Sequence, residues 1–166
     1  MIGIGLYILT SMKHDEHNPT SEKALQILLA DDDADDHFLF DKIINTLPFH
    51  VEITTVEDGE KLMKHLYKNM EHLPDVLFLD YNMPRSNGSE CLIEIKEAPL
   101  LKNLPVVIYS TYFHQDIAKV LYENGAYYYV RKTSQDKLKK ALTYILTLAL
   151  EKKLVRPTRD QFILTY

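Results

Sequence analysis

Short apolar runs take turns with stretches of helical spacing from Leu25 to Ala149, and that alternation leaves few folds open. The runs are Leu25–Ala30, Val51–Val56, Val76–Leu79, Val106–Tyr109 and Tyr127–Val130. Each has strand length and is bounded by turn or breaker residues such as Pro48, Asp58-Gly59, Pro74 and Pro105. Between them apolar residues recur three and four apart: Phe40, Ile43, Ile44 and Leu47, then Leu62, Met63, Leu66 and Met70. Shorter sets follow at Leu92 and Ile95 and at Ile117, Val120 and Leu121, the latter ended by the capping pair Asn124-Gly125. The longest stripe runs from Leu138 through Ala141, Leu142, Ile145 and Leu146 to Ala149. The last three apolar runs are nearly continuous, the mark of strands buried on both faces. Five strands alternating with five helices predict a doubly wound parallel sheet with helices on both faces. Right-handed crossovers favour the flavodoxin-like five-stranded order 2-1-3-4-5.

In such a sheet the residues just past the carboxyl ends of the strands meet in one crevice. Here those residues are polar. The first run leads into Asp31-Asp32-Asp33, the third into Asp80, the fourth into Ser110 and the fifth into Arg131-Lys132. Order 2-1-3 makes Asp31, Asp32 and Asp80 neighbours. Crowded carboxylates repel unless a partner neutralises them, and a divalent cation does so. An all-oxygen donor set suits Mg²⁺ rather than zinc. A carboxylate is a competent nucleophile toward a phosphoryl group, and Asp80, which has no acidic neighbour, is the candidate. Lys132 would supply fixed positive charge and Ser110 a hydrogen bond to a phosphoryl oxygen.

Composition excludes other roles. A net charge of −5 argues against nucleic-acid and membrane-surface binding, which call for a basic patch. No apolar run approaches the ~20 residues of a membrane span. The single cysteine, Cys91, cannot form an internal disulfide, which fits a cytoplasmic protein. Residues 1–23 read as a flexible tail, with residues 1–11 resembling an upstream leader before the polar start at Met12. His14 and His17 lie in that tail. Residues 151–166 are a basic extension with Pro157 and a short apolar hook at Phe162-Ile163-Leu164, too short for an output domain.

Four segments together resemble the receiver domains of two-component response regulators. They are Leu28-Leu29-Ala30-Asp31-Asp32-Asp33, then Phe78-Leu79-Asp80-Tyr81-Asn82-Met83-Pro84 with Asn87-Gly88, then Pro105 to Ser110, and finally Gly125-Ala126 with Tyr129 and Lys132. The resemblance spans residues 24–150. It implies that Asp80 is phosphorylated by a phosphohistidine on a sensor histidine kinase or histidine phosphotransfer protein. It implies Mg²⁺ held by Asp32, Asp80 and the backbone carbonyl of Asn82, with Asp31 acting mainly through water. Ser110 and Lys132 would contact the phosphoryl group. Ser110 and Tyr129 would form the switch that reshapes the surface of the fourth helix, fifth strand and fifth helix. The chain would then be a stand-alone signalling module acting through an unknown downstream protein or a homodimer, and an enzyme only in promoting its own phosphorylation and dephosphorylation.

Two departures stand out. Thr133 follows Lys132 where the family usually has proline, which favours a trans peptide bond. The acidic run has three members, and the family register selects Asp31 and Asp32 rather than Asp32 and Asp33. The plain reading of Asp33, Asp35 and Asp36 is a helix start with an N-cap and favourable dipole charges. His37, His50, His65, His72 and His114 lack the spaced partners of a zinc site and read as surface residues. Two other functions compete: a magnesium-dependent phosphatase, for which Asn82 is a poor proton donor, and a receiver-like scaffold that is never phosphorylated.

Overall fold

A computed structural model describes residues 24–85 and 87–166; the leader and the tail residues His14 and His17 lie outside them. The elements alternate as β1 (Leu25–Ala30), α1 (Ala34–Ile44), β2 (Val51–Val56), α2 (Gly59–Lys68), β3 (Val76–Leu79), α3 (Gly88–Glu97), β4 (Val106–Ser110), α4 (Gln115–Glu123), β5 (Tyr128–Arg131) and α5 (Gln135–Leu150). A 3₁₀ turn at Arg159–Gln161 and a short β6 (Ile163–Leu164) follow. All strand pairs are parallel, and the sheet order is β2-β1-β3-β4-β5-β6.

The sheet separates two apolar layers. On one side α1 and α5 cover it through Phe40, Ile43, Leu138, Leu142 and Ile145. On the other, α2, α3 and α4 do so through Leu62, Leu66, Leu92, Ile95 and Leu121. Strands β3 and β4 are buried at every residue, as continuous apolar runs require. Helix starts are set by side chains written in the sequence. Asp33 caps α1 by accepting from the Asp35 amide, Asp58 caps α2 from the Lys61 amide, and Asn87 with Glu90 forms a capping box on α3. Gly125 ends α4 at φ 96°, a conformation that side chains disfavour.

The sheet has six strands, not five. The apolar hook of residues 151–166 is docked: Phe162 is buried against the α4 layer and the next two residues pair with the outer edge of β5. A two-residue strand has no periodicity of its own. Its pairing is dictated by the edge it meets, so sequence pattern could not reveal it. No cis peptide occurs among the described residues, so Lys132–Thr133 is trans. No helix among them is long and apolar enough to cross a membrane.

Candidate functional site

The site is assembled by strand register. Ala30 lies opposite Leu79, so the residues that follow, Asp31 and Asp80, emerge side by side. The Asp80 amide donates to the Ala30 carbonyl at 2.8 Å, and the Asp31 amide donates to the Val56 carbonyl at 3.0 Å. On the other flank Ser110 lies opposite Arg131, and the Lys132 amide donates to the Ser110 carbonyl at 3.0 Å. Lys132 thus arrives at the mouth of the crevice. The loop after β3 folds back tightly. The Gly88 amide donates to the Tyr81 carbonyl at 3.0 Å, and a Cβ on Gly88 would stand 2.2 Å from the Asp80 carbonyl oxygen. Glycine is required there for close backbone approach.

One carboxylate oxygen from each of Asp31, Asp32 and Asp80 lies within 4.8 Å of the others. Asp31 and Asp80 are buried and Asp32 is exposed. At that spacing each like-charged pair repels by about 3 kcal/mol or more at an effective dielectric of about 20. The lysine relieves part of this. Its Nζ lies 2.6 Å from Asp31 Oδ2, 2.7 Å from Asp36 Oδ2 and 3.7 Å from Asp80 Oδ2. Burial opposes the charge on Lys132, yet its bonds to Asp31 and Asp36 outweigh burial and raise its pKa. Burial also raises the Asp31 pKa, against the lowering effect of Lys132.

Among the described residues, two buried polar atoms here have no hydrogen-bond partner, Asp80 Oδ1 and Ser110 Oγ. Buried polar atoms are usually satisfied, so the orphaned pair marks a place shaped for something else. The donor set is oxygen only, clustered and anionic, which fits a hard divalent cation. Asp32, Asp80 and Asp31 are the side chains that would hold it, and Asn82 sits in the exposed loop that would contribute its carbonyl. Tyr129 is fully buried behind Ser110. It donates to the Tyr112 carbonyl, and burial with the nearby Asp80 charge pushes its pKa up to about 12. Its ring meets Phe113 edge-on at 5.6 Å.

The crevice therefore gathers Asp31, Asp32, Asp80 and Lys132, with Ser110 and Tyr129 on the adjoining strands. It also holds residues that sequence reading passed over. Asp36 is more than a dipole charge at a helix start: Asp33 does the capping, and Asp36 grips Lys132. His37 is not simply a surface residue, since its Nε2 lies 2.7 Å from the Asp31 carbonyl oxygen. Arg85 adopts φ 69° and pairs at 2.7 Å with the buried carboxylate of Asp58, tying the loop after β3 to the start of α2. Asp36 left a trace in sequence, in the first turn of the helix that follows the acidic run. The Arg85–Asp58 pair left none, because its members lie 27 residues apart on separate loops.

Comparison with known proteins agrees with this geometry. The family model for the response regulator receiver domain matches residues 27–143. The response regulator Rcp1 of Synechocystis sp. (strain ATCC 27184 / PCC 6803 / Kazusa) is 32% identical over 123 residues, 72% of this chain and 81% of that protein. The phosphorylated cyanobacterial phytochrome response regulator RcpA superposes with a TM-score of 0.70 at 30% identity, covering 78% of this chain and 96% of that one. The Mn(2+)-bound form of Rcp1 superposes with a TM-score of 0.68 at 30% identity, covering 80% and 99%.

Proposed function

The chain belongs to the response regulator receiver family, and on that premise we propose that it accepts a phosphoryl group on Asp80 in a Mg²⁺-dependent reaction. The observation that carries this reading is Asp80 Oδ1, buried without a partner beside Asp31, Asp32 and Lys132. The donor is a phosphohistidine on a sensor histidine kinase or phosphotransfer protein. RcpA is a phytochrome response regulator, so a phytochrome-type kinase is the first donor to try.

The residues divide the work. An Asp80 carboxylate oxygen forms the new bond to phosphorus as the phosphorus–nitrogen bond of the phosphohistidine breaks, and the released imidazole takes a proton from solvent. Lys132 and Ser110 Oγ receive the phosphoryl oxygens. Asp32, Asp80 and the Asn82 carbonyl would hold the cation directly, with Asp31 acting mainly through water. When bound, Mg²⁺ neutralises charge on the entering group, which is the main catalytic demand of phosphoryl transfer. The Mn(2+)-bound Rcp1 relative supports a divalent cation in this role. The output is a protein contact, and Ser110 with Tyr129 is the switch that would change it. In this reading the chain is a signalling domain and an enzyme only toward its own phosphate.

Incubation of the whole chain with phosphoramidate and Mg²⁺ tests the reading. An alkali- and hydroxylamine-labile phosphate on Asp80 is expected, absent without the cation and absent in Asp80→Asn. Sustained turnover of a phosphate ester would indicate a hydrolase instead, and no incorporation at all would indicate a scaffold.

A further inference from the structure

We propose that Asp36 is a positioning residue that holds the Lys132 ammonium off Asp80, with the ring of Tyr109 completing the seat. The inference deepens the phosphoacceptor reading and rests on it for its functional meaning. Lysine is a flexible four-carbon stem with a point charge at its tip, and nothing in its own chemistry fixes where that charge sits. Here the tip is fixed on three sides. Asp31 and Asp36 accept from Nζ at 2.6 and 2.7 Å, and Nζ lies 4.8 Å from the centroid of the Tyr109 ring. The Lys132 side chain is 5% exposed.

The geometry is lopsided toward α1. Asp80 Oδ2 lies 3.7 Å from Nζ, beyond hydrogen-bond range, while Asp36 lies well within it. Asp36 is not occupied by capping, since Asp33 performs that role for α1. Its carboxylate reaches into the crevice from the helix and draws the ammonium to its side. The consequence is at Asp80, which keeps one oxygen without a partner and the other without a lysine hydrogen bond. An acceptor already gripped by an ammonium would be a poorer cation ligand and a poorer nucleophile.

Tyr109 supports the seat from below. Its ring is wedged edge-on between Phe40 at 5.4 Å and Phe78 at 6.3 Å, so its face cannot drift. An aromatic face attracts a cation that has been stripped of water. The Tyr109 hydroxyl has no hydrogen-bond partner among the described residues, so the ring rather than the hydroxyl does this work.

The test uses the full chain with Asp36→Asn, Asp36→Glu, Asp35→Asn, Tyr109→Phe and Tyr109→Leu. Asp35→Asn makes the same charge change at an exposed position of the same helical turn. In a metal-free crystal structure of Asp36→Asn, Nζ of Lys132 is expected to close on Asp80 to within about 3.2 Å. Mg²⁺ affinity, read from the cation-dependent rise in melting temperature, is expected to weaken about fivefold more than in Asp35→Asn, a coupling worth somewhat less than one tenfold step. Asp36→Glu recovers most of it, Tyr109→Phe is silent and Tyr109→Leu moves in the direction of Asp36→Asn. A lysine that stays in place in the variant structure overturns the proposal, as does an Asp36→Asn affinity equal to that of Asp35→Asn. If the unaltered protein takes neither Mg²⁺ nor phosphate, the phosphoacceptor reading falls, and the variant structure still decides the seat.

Discussion

The crevice at the ends of β1, β3 and β4 and the outer edge of β5 are built on opposite terms. The edge is closed. The Tyr129 amide donates to the Phe162 carbonyl at 2.8 Å, the Tyr122 hydroxyl donates to the Pro157 carbonyl at 3.1 Å, and the Arg156 guanidinium lies 4.0 Å over the Tyr122 ring. Phe162 fills the space between Tyr122 at 5.3 Å and Tyr129 at 6.2 Å. The crevice is open. It crowds like charges, leaves Asp80 Oδ1 and Ser110 Oγ without partners, and is bordered by a left-handed Arg85. One region satisfies its polar groups internally, and the other leaves several of its own unsatisfied. Tyr129 belongs to both, touching Phe113 beside the crevice and Phe162 on the edge. Any movement of that ring is therefore felt by the C-terminal segment.

The contrast can be broken from either side. Phe162→Ala removes a fully packed ring from the closed region. It is expected to cost about 3 kcal/mol in urea unfolding, at the lower end for a buried aromatic, with phosphate uptake on Asp80 retained. Loss of uptake together with stability would show that the two regions are not separable. Gly88→Ala attacks the crevice wall. Its methyl meets the Asp80 carbonyl at 2.2 Å, so the loop must move, costing about 2 kcal/mol and lowering cation affinity. Asp80→Asn sharpens the comparison by changing sign. Removing one of three crowded charges is expected to raise metal-free stability by about 1 kcal/mol, while abolishing the stabilisation expected on adding Mg²⁺. A destabilised metal-free variant would contradict the reading of the crevice as electrostatically unsatisfied.

The smallest effect lies far from the site. Lys96 donates to the Leu104 and Lys102 carbonyls at 2.6 and 3.1 Å, and burial, with a contribution from Arg156, lowers its pKa from 10.5 to about 8. Between these values the unfolded chain holds a proton that the folded chain has released, so stability rises with pH across that window and is flat below it. Urea midpoints at pH 7.5 and 9.5 are expected to diverge in the unaltered protein and to diverge less in Lys96→Met.

Much of this was legible in the chain. The alternation of periods announced a parallel sheet, and a strand-end rule placed Asp31, Asp80, Ser110 and Lys132 in one crevice without reference to distance. The pattern failed where partners are remote or elements too short to show a period. The β6 pairing, the Arg85–Asp58 bridge and the Tyr109 ring beneath Lys132 are of that kind. Asp36 failed differently. A local rule for helix starts explained it adequately, and only a contact with a residue 96 positions away showed that the rule was incomplete.

Local chemistry thus determined which elements form, which faces they bury and which side chains reach the strand ends. The tertiary structure alone decided how one lysine divides itself among three carboxylates and what covers the last strand. The reason is physical. Hydrophobic period and capping act within a few residues, whereas the place of a charge depends on every other charge within a few ångströms, wherever in the chain it comes from.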